Sequence, residues 1–401
     1  MNPLMLHEFH HSLGARFGEL GGAEVVAGYV YVPAEHAALR ESAGVVDLSF
    51  RSRLCLVGAD RARYLHGQVT NDVKKLKPGE GCYAAITTAK GKMESDLNIL
   101  CLADELLLDF EPGLTEKISQ RLDKYIVADD VQIVDAAPHY GLLSVQGPKA
   151  EEVVRAIGLF GVPPSGGGGE ASPDRVNAEL PTMALASVKV SDAMLGEIYL
   201  VRNGRIGDAQ GKIESPPAVD GARGATRPTS SGFDLFVPNN SLGAVADKLV
   251  AAAKAAGGGA CGWTAFEMAR IEAGIPRYGA DMDETNLPLE CGIESRAIVY
   301  NKGCYIGQEV INRVHSFGHV NKELRGLRLA DDLTALPVRG DKLFQAGKEV
   351  GQVTSAAKSL AVDGNIALGY VRREANQVGG ELVLRTAAGE SAVKIVELPF
   401  A

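Results

Sequence analysis

Several features of metal-binding, secreted and membrane proteins are missing from this sequence. Its six cysteines, at positions 55, 82, 101, 261, 291 and 304, include no CxxC pair or other short spacing typical of a zinc or cluster site. No stretch approaches the roughly 18 apolar residues that a membrane span requires. The N-terminus has no basic segment followed by an apolar run, so it does not resemble a signal peptide. We therefore expect a cytoplasmic protein with no membrane segment, no metal site and mostly buried thiols.

Positive charge is also scarce. The chain has 41 Lys and Arg against 50 Asp and Glu, which gives a net charge of -9. A net acidic chain lacks the electrostatic surface of a general nucleic-acid binder. Its 401 residues, 46% of them hydrophobic, are too many for one ordinary core. The composition therefore predicts two or three domains and no general nucleic-acid binding, although a local basic groove could still lie within the fold.

The order of sequence patterns predicts an α+β fold. Helical and strand-like segments alternate over residues 1–315, which we interpret as one mixed region. Two stretches in it, 162–174 and 207–232, are rich in Gly, Pro and Ser and indicate flexible inserted loops. Short strands separated by turn residues fill 321–401 and predict a small antiparallel β-barrel domain.

The segment NKGCYIGQE (301–309) contains the most distinctive chemistry. It places Cys304 between two glycines, with Lys302 nearby, at the start of a predicted helix. A helix N-terminus and an ammonium group both favour a thiolate, so Cys304 is a candidate nucleophile, redox thiol or soft-metal ligand. Alternatively, Cys304 is a small apolar residue that packs where the glycines let two backbones approach.

Longer motifs carry a family resemblance. The segment IEAGIPRYGADMDETNLPLECGI (271–293), preceded in order by EHAALRESAGVVDLS and YLHGQVTND, resembles glycine-cleavage aminomethyltransferases over about residues 5–315. Within that superfamily KGCYIGQEV (302–310) is similar to the signature of YgfZ-type folate-binding proteins, which support assembly or repair of iron–sulfur clusters. Aminomethyltransferases have no cysteine there.

This resemblance implies a fold, a ligand and a function. The implied fold has two interleaved α/β subdomains and a C-terminal β-barrel around a channel that holds tetrahydrofolate or a one-carbon derivative. The implied function is folate-dependent support of the assembly or repair of iron–sulfur clusters. The implied partners are client enzymes or cluster-assembly proteins. Cys304 would be the functional thiol, and Lys302 would tune its reactivity. The alternatives are one-carbon transfer, as an aminomethyltransferase or demethylase, and a non-catalytic folate-binding scaffold.

The resemblance also nominates a catalytic carboxylate. Transferases of this family carry paired aspartates where this chain has Ser95 and Asp96. Positive charge that develops on a folate amine needs a well-placed carboxylate, so the loss of one of the pair argues against catalysis. We keep Asp96 as a catalytic candidate and expect little transferase activity.

The remaining candidates would bind the folate itself. A pterin presents an N–H and an amino group side by side, which suits one buried carboxylate, either Asp234 or Glu197. The anionic glutamate tail suits Arg270, Arg277 or Arg296. Each of these arginines could instead form an ion pair on the surface or between domains.

Overall fold

The computed structural model describes residues 1–29, 31–158, 185–207 and 232–400. The helices are α1 His7–Ser12, α2 Val32–Glu41, α3 Arg61–His66, α4 Thr115–Asp123, α5 Ala150–Ala156, α6 Leu242–Ala255, α7 Trp263–Glu272, α8 Glu294–Ala297 and α9 Gln308–Phe317. The strands are β1 Arg16–Leu20, β2 Ala23–Gly28, β3 Gly44–Asp47, β4 Ser52–Val57, β5 Gly81–Thr87, β6 Met93–Cys101, β7 Leu106–Phe110, β8 Gln132–Asp135, β9 Tyr140–Gln146, β10 Ser187–Asp192, β11 Gly196–Arg202, β12 Gly232–Pro238, β13 Gly259–Ala260, β14 Lys322–Leu329, β15 Lys342–Gln345, β16 Lys348–Ser359, β17 Gly364–Arg372, β18 Glu381–Thr386 and β19 Gly389–Val396.

Two sheets interleave in the first part of the chain. One has the order β10-β11-β12-β9-β3-β13 and the other the order β5-β6-β7-β4-β8. All strands of the second sheet come between β3 and β9 along the chain, so this sheet is an insertion into the first. The predicted loop at 162–174 lies outside the described residues, and so does 207–232 except for its two end residues.

Each sheet has a helical layer on one face. Helices α5 and α6 cover the first sheet through a cluster that includes Val154, Leu249 and Phe233. Helices α3 and α4 cover the second sheet, where Leu65 and Ile118 are fully buried. The alternating pattern of half-buried strands predicts this arrangement, because successive side chains point to opposite faces.

The last six strands form a closed antiparallel barrel in the order β14-β17-β16-β15-β18-β19. The fully buried Glu272, at the end of α7, ties the barrel to the first part of the chain. Its carboxylate accepts hydrogen bonds from His36 Nε2 at 2.8 Å and from Ser359 Oγ of the barrel at 2.7 Å. The predicted mixed α/β region followed by a β-barrel is confirmed.

None of the helices in the described ranges is long and apolar enough to cross a membrane.

Candidate functional site

The face of the second sheet that lies opposite α3 and α4 carries two rows of polar side chains. Strand β6 alternates strictly, so Ser95 and Leu97 point into the core under α3 and α4, and Asp96 and Asn98 point the opposite way. Strand pairing aligns Asn98 with Asp109 of β7, and Asp109 with Arg53 of β4. The same face carries a second row, two residues away along the chain from each member of the first. This second row consists of Asp96, Glu111 and Arg51.

Most charges in these rows are paired. Arg51 donates to Asp109 Oδ1 at 2.7 Å and to Glu111 Oε1 at 2.5 Å. Arg277 donates to the second oxygen of Glu111 at 2.8 Å. Both arginines stay charged, because their carboxylate neighbours outweigh the effect of burial and raise the pKa of each guanidinium. This network fixes a set of buried ion pairs at the centre of the molecule.

Arg205 joins this network to the first sheet. Its Nη2 lies 2.7 Å from Asp109 and 2.7 Å from Asp234 of β12. Ser144 Oγ and Asn203 Nδ2 each donate to Asp234 at 2.7 Å as well. Both oxygens of Asp234 are therefore already bound, although this candidate does lie in the cluster.

Asp96 is the exception among the carboxylates of the cluster. It is half-buried, and its one side-chain hydrogen bond within the described residues comes from Tyr83 Oη at 2.8 Å. It forms no ion pair there, whereas Asp109, Glu111 and Asp234 each do. Burial, together with the negative charge of Glu111, raises the pKa of Asp96 to about 6. This carboxyl is free to accept a proton or an N–H group near neutral pH.

Arg53 is the corresponding exception among the arginines. It is 1% exposed, and its Nη2 donates to Ser49 O at 3.0 Å. Its Nε and Nη1 have no hydrogen-bond partner in the part of the chain that the structure describes. Burial lowers the pKa of Arg53 to about 10, so it is still charged at neutral pH. Buried polar atoms without partners mark a place where a ligand can supply them.

The other predicted folate ligands are spread over the molecule. Arg296 lies against the ring of Tyr83, with its guanidinium carbon 4.9 Å from the ring centre, and the hydroxyl of the same Tyr83 binds Asp96. Arg270 is buried between Glu267 and the barrel, where it donates to Ser355 Oγ at 2.8 Å and binds Asp281. Those contacts use its donors to hold α7 on the barrel.

Glu197 lies apart from the cluster. It occupies the outer hairpin of β10 and β11, and its half-exposed carboxylate pairs with Lys189 at 2.7 Å. The structure therefore brings Asp96, Asp234 and Arg296 towards one region and leaves Glu197 outside it.

Cys304 lies in the loop between α8 and α9. Residues next to Cys304 contact the β5–β6 hairpin and the segment after α3, and these contacts set the conformation of the Cys304 loop. Gly307 adopts a φ of 92°, and a Cβ there would lie 2.5 Å from Thr87 Oγ1. The positive φ and the close approach both require glycine. Ile306 N donates to Gly67 O at 3.2 Å. The loop is therefore held in one conformation.

Lys302 anchors the same loop from inside. Its ammonium donates to the carbonyl oxygens of His66 at 2.7 Å, Val69 at 2.7 Å and Asn71 at 2.6 Å. Burial lowers the pKa of Lys302 to about 8. Because these three bonds use all three N–H groups, Lys302 holds the loop and has no donor left for the Cys304 thiol.

Cys304 is the exposed cysteine of this chain. Cys55, Cys101, Cys261 and Cys291 are buried and Cys82 is half-buried. No hydrogen bond or ion pair joins Cys304 to Asp96 within the described residues. Lys302 interacts with Cys82 of β5, whereas Asp96 binds the next residue, Tyr83, whose side chain points to the opposite face. The thiol and the carboxylate are thus two separate candidate sites.

Two protein-family models match this chain. Residues 6–159 and 229–302 match the GCVT N-terminal domain, and residues 322–401 match the glycine cleavage T-protein C-terminal barrel domain. This chain belongs to the glycine cleavage T-protein family. The first of these matches ends at Lys302, so the segment with Cys304 lies between the two matched regions.

Relatives in the family match this T-protein family member along almost its whole length. It is 28% identical to an aminomethyltransferase of Symbiobacterium thermophilum, covering 98% of this chain and 96% of the relative. It is 26% identical to an aminomethyltransferase of Rubrobacter xylanophilus, covering 98% and 93%. The crystal structure of the glycine cleavage system aminomethyltransferase T from Bartonella henselae superposes with a TM-score of 0.81 over 100% of this chain and 98% of that one, at 23% identity. The last comparison shows a shared fold.

Sequence reasoning missed most of the paired charges in this T-protein family member. Arg51, Asp109, Glu111 and Arg205 were not selected as site residues. One signal was available, because Asp109 interrupts the apolar strand LLLDF and charged residues rarely face a core without a partner. Arg205 had no comparable signal, because its ion pairs with both sheets depend on how the two sheets are placed relative to each other.

Proposed function

We propose that this chain binds a reduced folate beside Asp96 and carries out one-carbon transfer of the aminomethyltransferase type. One observation carries the proposal: Asp96 is the carboxyl of the central cluster that forms no ion pair with any described residue. A pterin or a folate amine offers N–H donors to such a group, and the two oxygens of one carboxylate can accept two of them. The unpaired N–H groups of Arg53 add donors for a ligand carbonyl in the same sheet face.

Of the three arginines predicted for the glutamate tail of a folate, Arg296 suits that role best, since Arg277 already binds Glu111. Arg296 lies against Tyr83, whose hydroxyl binds Asp96, and it forms no ion pair with a carboxylate of the described residues. Arg270 already binds two carboxylates, Glu267 and Asp281. A ligand carboxylate at Arg270 would have to displace buried ion pairs, whereas at Arg296 it would meet a guanidinium that stacks on Tyr83 and would displace no ion pair of the described residues.

The environment of Asp96 also suits the chemistry of the transfer. An ionised Asp96 stabilises positive charge on a nearby amine, and its pKa of about 6 lets it take up and release a proton near neutral pH. Ser95 is fully buried on the opposite face of β6. A carboxylate at that position would face the core under α3 and α4. Serine in its place therefore leaves the charge on the Asp96 face of β6 unchanged. The argument against catalysis from Ser95 is therefore weaker than the sequence suggested.

An assay of the transfer tests this proposal. The protein is mixed with tetrahydrofolate and an aminomethylated lipoyl carrier protein, and release of ammonia and methylenetetrahydrofolate is followed. We expect turnover that Asp96→Asn reduces by at least about a hundredfold, which is typical for the loss of a positioned acid–base group. Wild-type turnover indistinguishable from the reaction without protein would contradict the transfer.

A second candidate function rests on Cys304. The relatives are named for aminomethyl transfer and favour that function over the iron–sulfur role that the sequence analysis put first. An exposed thiol on an anchored loop within a KGCYIGQE segment nevertheless favours the YgfZ-type role in iron–sulfur cluster assembly or repair. Deletion of the gene, assay of cluster-dependent enzymes, and complementation with Cys304→Ala test it. Full complementation by Cys304→Ala would contradict a thiol-dependent role.

A further inference from the structure

A second cleft lies where the β5–β6 hairpin, the segment after α9 and the barrel meet. Its volume is about 770 Å³, which is within the range of small-molecule sites. None of the residues that line it belongs to the charged cluster around Asp96. Four of them are lysines or arginines and two are glutamates, so the cleft is positively charged overall.

Two of these cations are held side by side by the barrel. Strand pairing places Lys322 of β14 directly opposite Arg372 of β17. Like charges directly opposite each other destabilise a pair of strands. Neither side chain forms an ion pair with a described residue. Asp283, whose charge interacts with that of Lys322, pairs with Arg339 at 2.6 Å instead. The two cations therefore share a position that an anionic ligand would stabilise.

Further positive charge lies around this pair. Arg373 follows Arg372 along the chain and is exposed, and its backbone N–H donates to Asn321 O at 2.9 Å. Lys92, in the turn between β5 and β6, also lines the cleft and donates to Thr285 O at 2.7 Å. That bond uses one of the three N–H groups of the ammonium and leaves two. The cleft therefore holds more positive charge than a single carboxylate would neutralise.

A buried carboxylate also lines the cleft. Glu290 lies in the short 3₁₀ turn Pro288–Cys291 and is 5% exposed. Its Oε2 accepts a hydrogen bond from Leu287 N at 2.9 Å, and its Oε1 makes none within the described residues. A buried oxygen without a partner marks a place where a ligand can supply a donor. A ligand that fits the cleft must therefore present an anionic group to the cations and an N–H group to Glu290.

We propose that this cleft binds a small phosphate ester that also carries an N–H donor, a class that includes nucleoside diphosphates. A phosphate group carries up to about two negative charges, so it matches two adjacent cations better than a carboxylate does. The guanidinium of Arg372 suits a phosphate because it can donate two parallel hydrogen bonds to it. Lys322 binds the same group, and Glu290 accepts the N–H of the ligand. This site is additional to the folate site and does not depend on Asp96 or Cys304.

Calorimetric titration of the full-length protein with adenosine diphosphate tests the proposal. Pyrophosphate and adenosine serve as partial probes, and each should bind more weakly than the diphosphate nucleotide. Arg372→Gln should weaken both adenosine diphosphate and pyrophosphate by at least about tenfold, because it removes charged hydrogen bonds to phosphate. Glu290→Gln can still accept from Leu287 N. It should weaken the nucleotide by about fivefold and should not weaken pyrophosphate, which has no N–H group.

Arg385→Gln is the matched control. Arg385 is an arginine of the same barrel that pairs with Glu390 at 2.6 Å and does not line the cleft. The variant removes the same charge as Arg372→Gln and should leave both affinities unchanged. Lys322→Gln repeats the test if Arg372→Gln fails to fold.

The outcomes separate this site from the proposed function. No binding of adenosine diphosphate at millimolar concentration, or equal weakening by Arg372→Gln and Arg385→Gln, would overturn the site. Equal affinities for the nucleotide and pyrophosphate, both unchanged in Glu290→Gln, would overturn the ligand class. Binding of a short single-stranded RNA without binding of the nucleotide would overturn it as well. Arg372→Gln should leave aminomethyl transfer unchanged, so failure of the site would not affect the argument from Asp96.

Discussion

Replacing Asp96 with asparagine should make the protein more stable at neutral pH. The carboxyl titrates at about 6 in the folded protein. It titrates at about 3.9 in an unfolded chain. Between these values the folded state binds a proton that the unfolded state has lost, so stability falls as the pH rises through this window. Above it, ionised Asp96 destabilises the fold by up to about 3 kcal/mol, and asparagine removes that penalty.

The expected gain is smaller than this limit because Asp96 is half-buried and water screens part of its charge. We expect Asp96→Asn to raise the free energy of unfolding by about 1 to 2 kcal/mol at pH 7.5 and by almost nothing at pH 4. Asparagine can still accept the hydrogen bond from Tyr83, so packing is retained. Urea unfolding at a series of pH values measures the difference between the two proteins.

Asp109→Asn is the matched control on the neighbouring strand. Burial opposes ionisation of Asp109, but Arg205 and Arg51 outweigh it and hold its pKa well below the usual range. The same change of residue should therefore destabilise the protein at pH 7.5, because it leaves those arginines short of a carboxylate. A destabilising Asp96→Asn, or a difference that does not change with pH, would refute the reasoning about Asp96.

Three further variants probe the Cys304 loop and the link between the sheets. Gly307→Ala should lower the free energy of unfolding by more than about 1 kcal/mol. Gly279→Ala should lower it less, because Gly279 has a similar φ of 84° but no atom of the described residues within 4 Å of its Cβ. Urea unfolding compares the two variants. Lys302→Met should lower it by about 2 to 4 kcal/mol, because three buried carbonyls lose their donor. Arg205→Leu should lower the melting temperature by several degrees more than Arg205→Lys, which keeps the charge between the two sheets.

Local sequence patterns predicted much of the fold. The strand-like part of residues 1–315 includes MESDLNILC, whose alternation predicts β6 because one face of that strand is buried and the other is polar. The segment GQEVINRV predicted α9, which begins at Gln308. The interleaving of the sheets depends on contacts between residues far apart in the chain, and only the family resemblance indicated it.

The candidate site was harder to predict. Asp96 and Arg296 were named from the resemblance, and the structure places both beside Tyr83. Glu197 was named as one of two carboxylates that could accept the two donors of a pterin, but it faces solvent in a hairpin.

Calorimetric titration of tetrahydrofolate, at pH 5 and at pH 7, tests the central claim most directly. If the ligand binds ionised Asp96, a pKa of about 6 makes about a tenth of the protein competent at pH 5 and about nine-tenths at pH 7. We therefore predict that wild-type protein binds about tenfold more tightly at pH 7, and that Asp96→Asn binds weakly with no such change. Absence of binding at millimolar folate, or equal binding by Asp96→Asn at both pH values, would contradict the account.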